Sequence, residues 1–346
     1  MKTMKTTELY RNFGWNYTDN KKYQQTWNEQ HSKYSNESYS FKIDGLDNSE
    51  IKNKSKEDYA GTCELISDRI MKEFSIKEDI FGRKLEMSCS GSGEEIQKIT
   101  ALHSSSLCAL LFFYDVEKNP LTLHIDGNPI KFSKSFFEWK NPVFGSDSNI
   151  DVALYSEESN ALLFLESKFS EFLHVKAKLD IPYKYAEDSI AREVYEELCN
   201  LGDYKTTFEK FTVRKNRNYT NVFYLECSKK MHYIDGIKQM ISHYLGVIHF
   251  LDGQSSEKDR YEKEISINEK TKFYLGEIVF DTKIPELEDY CNDYITEYNK
   301  LEPILNEDLL KRGINNFSVL PNVLLYSDLK KYILNCNENI HNYYFS

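Results

Sequence analysis

The chain has 346 residues, 40% of them hydrophobic, enough for one large domain or two modest ones around a sizeable core. Tyrosine (25) and phenylalanine (21) are frequent, so much of that core is expected to be aromatic. No run reaches the roughly 18 uninterrupted apolar residues of a membrane span, and MKTMKTTELYRNFGWNYTDNKK lacks the apolar stretch of a secretory signal.

The formal net charge of −11 runs against the basic footprint usual in nucleic-acid binders. It does not exclude them, because a phosphate responds mainly to charge within a Debye length of roughly 8 Å. The cysteines, Cys63, Cys89, Cys108, Cys199, Cys227, Cys291 and Cys336, are odd in number, scattered and without a CxxC pair. That pattern argues against a disulfide framework and a zinc ribbon, and makes a reducing cytoplasm the expected compartment.

Residues 1–55 are polar, rich in Asn, Tyr, Lys and Ser, with Trp15 and Trp27 as anchors. They read as an extension, loosely packed or poorly ordered. Lys56–Phe74 carries apolar residues at helical spacing, among them Leu65, Ile66, Ile70 and Met71. After the turn at Gly91-Ser92-Gly93 a second helix is expected from Glu94 to about Phe113, capped by Ser92 or Gly93. Strands are expected at Leu121–Ile125, Ile130–Trp139, Ile150–Tyr155 and Ala161–Phe169. Then come a helix at Asp188–Leu201, β character over Phe208–Leu225, and a helix at Ile234–Phe250. Gly253–Lys270 is a charged loop. A buried strand at Phe273–Phe280, a helix at Leu287–Tyr298, a strand at Phe317–Tyr326 and a helix at Ser327–Leu334 complete the chain. The expected fold is α/β of the mixed α+β kind, a central mixed sheet flanked by helices, in one domain over 56–346 with its core at about 91–335.

The informative segment is Ser148-Asn-Ile-Asp-Val-Ala-Leu-Tyr155, a turn, and then Ala161-Leu-Leu-Phe-Leu-Glu-Ser-Lys-Phe169. Side chains alternate along a strand, so Glu166 and Lys168 share a face. A four-residue turn, Glu157 to Asn160, pairs residue 156 with 161 and brings Asp151 opposite Glu166. A slip of one residue would put Asp151 on the other face. Two carboxylates within chelating reach can hold Mg²⁺, or Mn²⁺ in its place, with several waters retained. The metal polarises a phosphoryl oxygen and lowers the pKa of a bound water. A lysine two residues after the glutamate can orient or deprotonate that water and offset charge in the transition state. E-x-K also occurs in many proteins as solvated strand-end charge. Here it follows the apolar run ALLFL, where charge is less expected.

SNIDVALY followed by LLFLESKFSEF resembles the core of PD-(D/E)xK restriction-endonuclease-like nucleases, although Ile150 stands where the family name has proline. The resemblance implies a restriction-endonuclease-like core and a metal-dependent endonuclease of restriction or defence type. Asp151 and Glu166 would be metal ligands, with Ser167 beside them, and Lys168 a catalytic residue. Gly91-Ser-Gly-Glu-Glu95 with His103-Ser-Ser-Ser106, and Lys238-Gln239-Met-Ile-Ser-His243-Tyr-Leu-Gly246, are similar to flanking helical motifs of one bacterial branch. By that likeness Glu95 supports a metal-bound water and Gln239 contacts phosphate or water. Glu95 reads equally as an acid favoured by a helix N-terminus, and Gln239 and His243 as polar positions of a core helix. Arg214, Lys215 and Arg217 form a basic cluster that could track a phosphate backbone or simply be solvated. Double-stranded DNA is the expected partner, and a homodimer is expected by analogy with enzymes that cut both strands. The competing reading is a silent nuclease fold that binds nucleic acid or protein. No HExxH, GxSxG or GxxxxGK[ST] motif points elsewhere.

Overall fold

The computed structural model describes residues 17–35, 40–43, 45–77, 80–90, 95–173, 176–215, 218–231, 233–254, 264–281 and 288–346. Helices α1 (Tyr17–Gln30), α2 (Asn48–Glu57), α3 (Tyr59–Phe74), α4 (Ile80–Ser88), α5 (Glu95–Lys98) and α6 (Ser105–Phe113) come first. Strands β1 (Leu121–Ile125), β2 (Asn128–Phe132), β3 (Lys134–Val143), β4 (Ser146–Ser156), β5 (Ala161–Lys168) and β6 (Lys176–Pro182) follow. Next are α7 (Lys184–Glu187), α8 (Ser189–Asn200), β7 (Tyr204–Lys205), β8 (Phe211–Lys215), β9 (Asn218–Met231) and α9 (Ile234–Leu251). The chain continues with β10 (Lys272–Val279), α10 (Glu288–Lys311), β11 (Phe317–Val319), β12 (Leu324–Leu325), α11 (Lys330–Cys336) and α12 (Glu338–Phe345).

The main sheet is mixed, in the order β11-β10-β5-β4-β3, with β12 also on β10. β3, β4 and β5 are antiparallel neighbours, while β10 runs parallel to β5, β11 and β12. Every position of β5 is buried, because it has a strand on each side and helices on each face, which is why ALLFL is an unbroken apolar run. Helix α9 packs on the face toward which Glu166 and Lys168 point. Ser167, of opposite parity, donates instead to the Ser105 carbonyl at the start of α6 on the other face. Gly246 sets how closely α9 approaches: a Cβ there would stand 2.9 Å from Asn141 Cβ on β3. A second sheet, β6-β9-β7 with β8 on β9, lies beyond.

The helix expected over 94–113 is two helices. Ser104 is extended (φ −72°, ψ 121°) and its side chain accepts from the Leu107 N–H, so a new helix starts there instead of an old one continuing. Ala101 pairs with Ser40 in an isolated bridge. The helix expected to end at Tyr298 runs on to Lys311 through Pro303. A proline inside a helix costs about 3 kcal/mol, and the buried Leu301, Leu305 and Leu309 offset it. The strand expected over 317–326 is split in two around Pro321, and α1, α2, α4, β6, α7, β7 and α12 had no counterpart in the sequence reading.

Tyr23, Trp27, Tyr34, Phe41, Ile43 and Ile51 belong to the same buried cluster as the sheet. Trp27 meets Phe169 at 5.2 Å and Phe280 at 5.5 Å, just past the ends of β5 and β10. Its Nε1 donates to the Leu102 carbonyl at 2.9 Å. The described part of the polar N-terminal region is thus pinned to the core by a few large rings, each burying an area that its polar neighbours do not dilute. Trp15 lies outside the described residues. No helix among the described residues is long and apolar enough to cross a membrane.

Candidate active site

The β4–β5 ladder begins at Ser156↔Ala161, the register expected from the four-residue turn. Asn160 closes that turn in the left-handed region (φ 45°), which asparagine tolerates. The ladder ends at Val152↔Leu165, although both strands continue. Asp151 and Glu166 therefore stand opposite one another one step past the last pair, where the strands part. Asp151 Oδ2 accepts the Ser167 N–H at 2.7 Å, a side chain replacing the ladder carbonyl.

Glu166 and Lys168 form a buried pair, Nζ to Oε1 2.7 Å, with side chains 6% and 4% exposed. Helix α9 completes their surroundings. Gln239 donates Nε2 to Glu166 Oε1 at 3.1 Å and accepts Lys168 Nζ on its Oε1 at 2.9 Å. His243 Nε2 lies 3.0 Å from Glu166 Oε2. Burial alone would push the Glu166 carboxyl up, but Lys168 and then His243 outweigh it and hold it at about 2. Desolvation likewise works against the Lys168 ammonium, and Glu166, Glu171, Glu277 and Asp151 overcome it, so its pKa is raised. Gln239 is exposed and is the site's outer wall.

Asp151 goes the other way. Burial first, then the charges of Glu166 and Glu138, push its carboxyl well above the usual range. Glu138 is a group the sequence reading missed. It is buried on β3, at the gap between the ladder pairs Phe137↔Val152 and Trp139↔Ile150, with a positive φ of 51°. Phe136 and Trp139, three residues apart, bring their rings to 5.8 Å, so β3 breaks its alternation at Glu138. A non-glycine residue in that conformation is a strain that the surrounding sheet must hold in place.

Glu277 was also missed. It lies inside FYLGEIVF on β10, in register with Glu166, and is fully buried. Tyr233 and Tyr294 each donate a hydroxyl to it at 2.9 Å. Burial pushes its carboxyl up to about 7 against the opposing pull of Lys168. One charged residue within an eight-residue apolar run was the available signal.

Among the described residues no group of three or more His, Cys, Asp and Glu side chains is arranged to hold a metal. Among these residues the side-chain donor set open to a cation in the site would be the Asp151 and Glu166 carboxylates alone. It fits a hard divalent cation on two observations. Asp151 Oδ1 receives no hydrogen bond from a described residue, and the repulsion that raises the Asp151 pKa is what a cation between the two acids would relieve. Ser167 turns its hydroxyl away, toward Ser105 and Tyr326, so only its main chain remains near Asp151. Glu95 opens α5 but its side chain, like that of Lys215, lies outside the described set, and so does Arg217. Arg214 is exposed on β8, in the second sheet and not in the one that carries Glu166. Compared with protein-family models, curated proteins and solved structures, the chain matches none of them.

Proposed function

We propose that this chain is a metal-dependent phosphodiesterase, a DNA endonuclease of restriction or defence type on a restriction-endonuclease-like core. The observation that carries this reading is the parting of β4 and β5 at Asp151, which leaves two carboxylates facing a gap with Lys168 on the same face. When bound, Mg²⁺ or Mn²⁺ would supply charge to a phosphoryl oxygen and acidify a water. Asp151 and Glu166 would hold it. Lys168 rests protonated, so its role is to orient the water and donate to the charge that develops on the phosphate. Gln239, at the exposed rim, meets the substrate first and is placed to hand the Lys168 ammonium over to it. Double-stranded DNA is the proposed substrate, a homodimer the proposed cutting unit, and Arg214, Lys215 and Arg217 a proposed phosphate contact.

Wild type and an Asp151→Ala/Glu166→Ala double variant, incubated with plasmid DNA and Mg²⁺, Mn²⁺ or EDTA, test this. Nicking or linearisation by wild type alone, abolished by EDTA, is the expected result. No cleavage of plasmid or RNA by any form under any metal rejects it. Lys168→Ala should bind metal yet lose about 10²- to 10⁴-fold in turnover.

One observation favours a second reading, a silent nuclease fold that binds nucleic acid or protein. Glu166 Oε1 already accepts two donors and the pair is nearly closed from solvent. Metal-independent association with a partner, without cleavage, would select it.

A further inference from the structure

Five polar groups run in line from α7 to Glu166. The Tyr185 hydroxyl donates to Ser242 Oγ at 2.9 Å, and Ser242 Oγ donates to Ser148 Oγ at 3.2 Å. Ser148 Oγ is 2.7 Å from His243 Nδ1, and His243 Nε2 is 3.0 Å from Glu166 Oε2. Tyr185, Ser148, His243 and Glu166 are buried, and Ser242 is half-buried. The groups come from α7, α9, β4 and β5, and only the tertiary fold aligns them.

Each hydroxyl has one proton, so the chain runs one way, and the geometry of the Tyr185–Ser242 and Ser242–Ser148 bonds sets that direction. Tyr185 gives its proton to Ser242, so Ser242 gives its own to Ser148. In a neutral His243 ring, the proton of Ser148 is then left for Nδ1 to accept. That neutral ring then carries its proton on Nε2, pointing at Glu166. Donor counting continues into the site. Glu166 Oε1 accepts both Lys168 and Gln239, using its two lone pairs, whereas Oε2 accepts His243 alone.

We propose that the Tyr185–Ser242–Ser148 relay locks His243 in its Nε2–H tautomer, making it a positioning residue that aims Glu166 and leaves one lone pair of Oε2 for a divalent cation. The tautomer half stands on hydrogen-bond geometry alone, while the cation half rests on the nuclease reading. His243 thereby does for Glu166 what an outer partner commonly does for a metal-binding carboxylate, and loss of such a partner typically weakens metal affinity 10- to 100-fold. Because the relay begins at α7, it also ties the orientation of Glu166 to that helix. Phe144, from the β3–β4 turn, packs edge-on against the Tyr185 ring at 5.0 Å and holds it in line.

The test has two independent arms. In protein labelled with ¹⁵N-histidine, long-range ¹H–¹⁵N correlation reads the tautomer directly. Wild-type His243 is expected as Nε2–H. Ser148→Ala and Tyr185→Phe, which remove little volume, are expected to move it toward a mixture. An Nδ1–H or doubly protonated wild-type ring, or a ring unmoved by both variants, overturns the relay. In the second arm Mn²⁺ binding is measured by calorimetry. His243→Ala is expected to weaken it about 10- to 100-fold, and His243→Gln, which keeps an N–H donor at the same reach, to restore it to within a few-fold. Unchanged affinity in His243→Ala overturns the positioning role. If wild type binds no Mn²⁺, the nuclease reading and the cation half fall together, and the tautomer result still decides the relay.

Discussion

The Glu166–Lys168 pair offers the sharpest test of the physical account, because it is measured as stability, whatever the chemistry. On a surface, an ion pair at 2.7 Å contributes about 0–1 kcal/mol. This one is nearly solvent-free, and removing one partner strands the other charge, at a cost of about 3–5 kcal/mol. At about 2 °C per kcal/mol, toward the large-domain end of the usual range, Glu166→Gln should lower the thermal midpoint by about 6–10 °C. Lys168→Met should do likewise, since Glu166 would keep only Gln239 and His243. The double variant removes both charges at similar volume and should return to within a few degrees of wild type. The assay is thermal unfolding followed by circular dichroism at pH 7 in EDTA. The pH dependence has a defined sign. Glu166 is held at about 2 against an ordinary 4.5, so its contribution is complete above 4.5 and is lost as pH falls toward 2. The gap between wild type and Glu166→Gln should close over that window. An additive double variant, or single variants that unfold with wild type, would refute the buried-pair argument.

Asp151→Asn should unfold no earlier than wild type without metal, because it removes a carboxylate that burial, Glu166 and Glu138 all oppose. Mn²⁺ at about a hundred times its dissociation constant should stabilise wild type by about 2.7 kcal/mol and leave the variant unmoved; equal shifts would remove Asp151 from the site. Glu277 is raised to about 7 from an ordinary 4.5. Its unfolded form ionises first, so it withdraws about 3 kcal/mol of stability as pH rises from 4.5 to 7. Urea titrations should show Glu277→Gln gaining on wild type across that interval and keeping a constant lead above it; a pH-independent difference would contradict the assignment. Trp27→Ala should cost about 3–5 kcal/mol, and a loss below 1 kcal/mol would mean the N-terminal helix is not part of the core.

The elements that were legible are those whose pattern is local. ALLFLESK and NIDVALY announce a hairpin because a turn and an alternating or apolar run lie within a few residues of each other. The register of Ser156 with Ala161 follows from the turn length. Helix α9 was readable from its spacing for the same reason. Helix α10 runs past its expected end at Tyr298 and through Pro303, a local stop signal, because the buried leucines that override it act through the rest of the molecule. The break at Ser104 and the exposed β8 hairpin show the converse, local features whose consequences depend on what packs beside them.

The sequence by itself determined that Glu166 and Lys168 share one face of β5, because side chains alternate along a strand, whereas Asp151 coming opposite Glu166 followed only for a four-residue turn, the register the structure shows. Only the tertiary structure decided that β10 lies parallel beside β5 and sets Glu277 level with Glu166. It alone parted β4 from β5 at Asp151, placed Glu138 at the gap, and aligned Tyr185, Ser242 and Ser148 behind His243. Those contacts join residues tens to more than a hundred positions apart. Strand order and helix docking are fixed by burial of the whole core, a sum over distant partners that no short window of sequence contains.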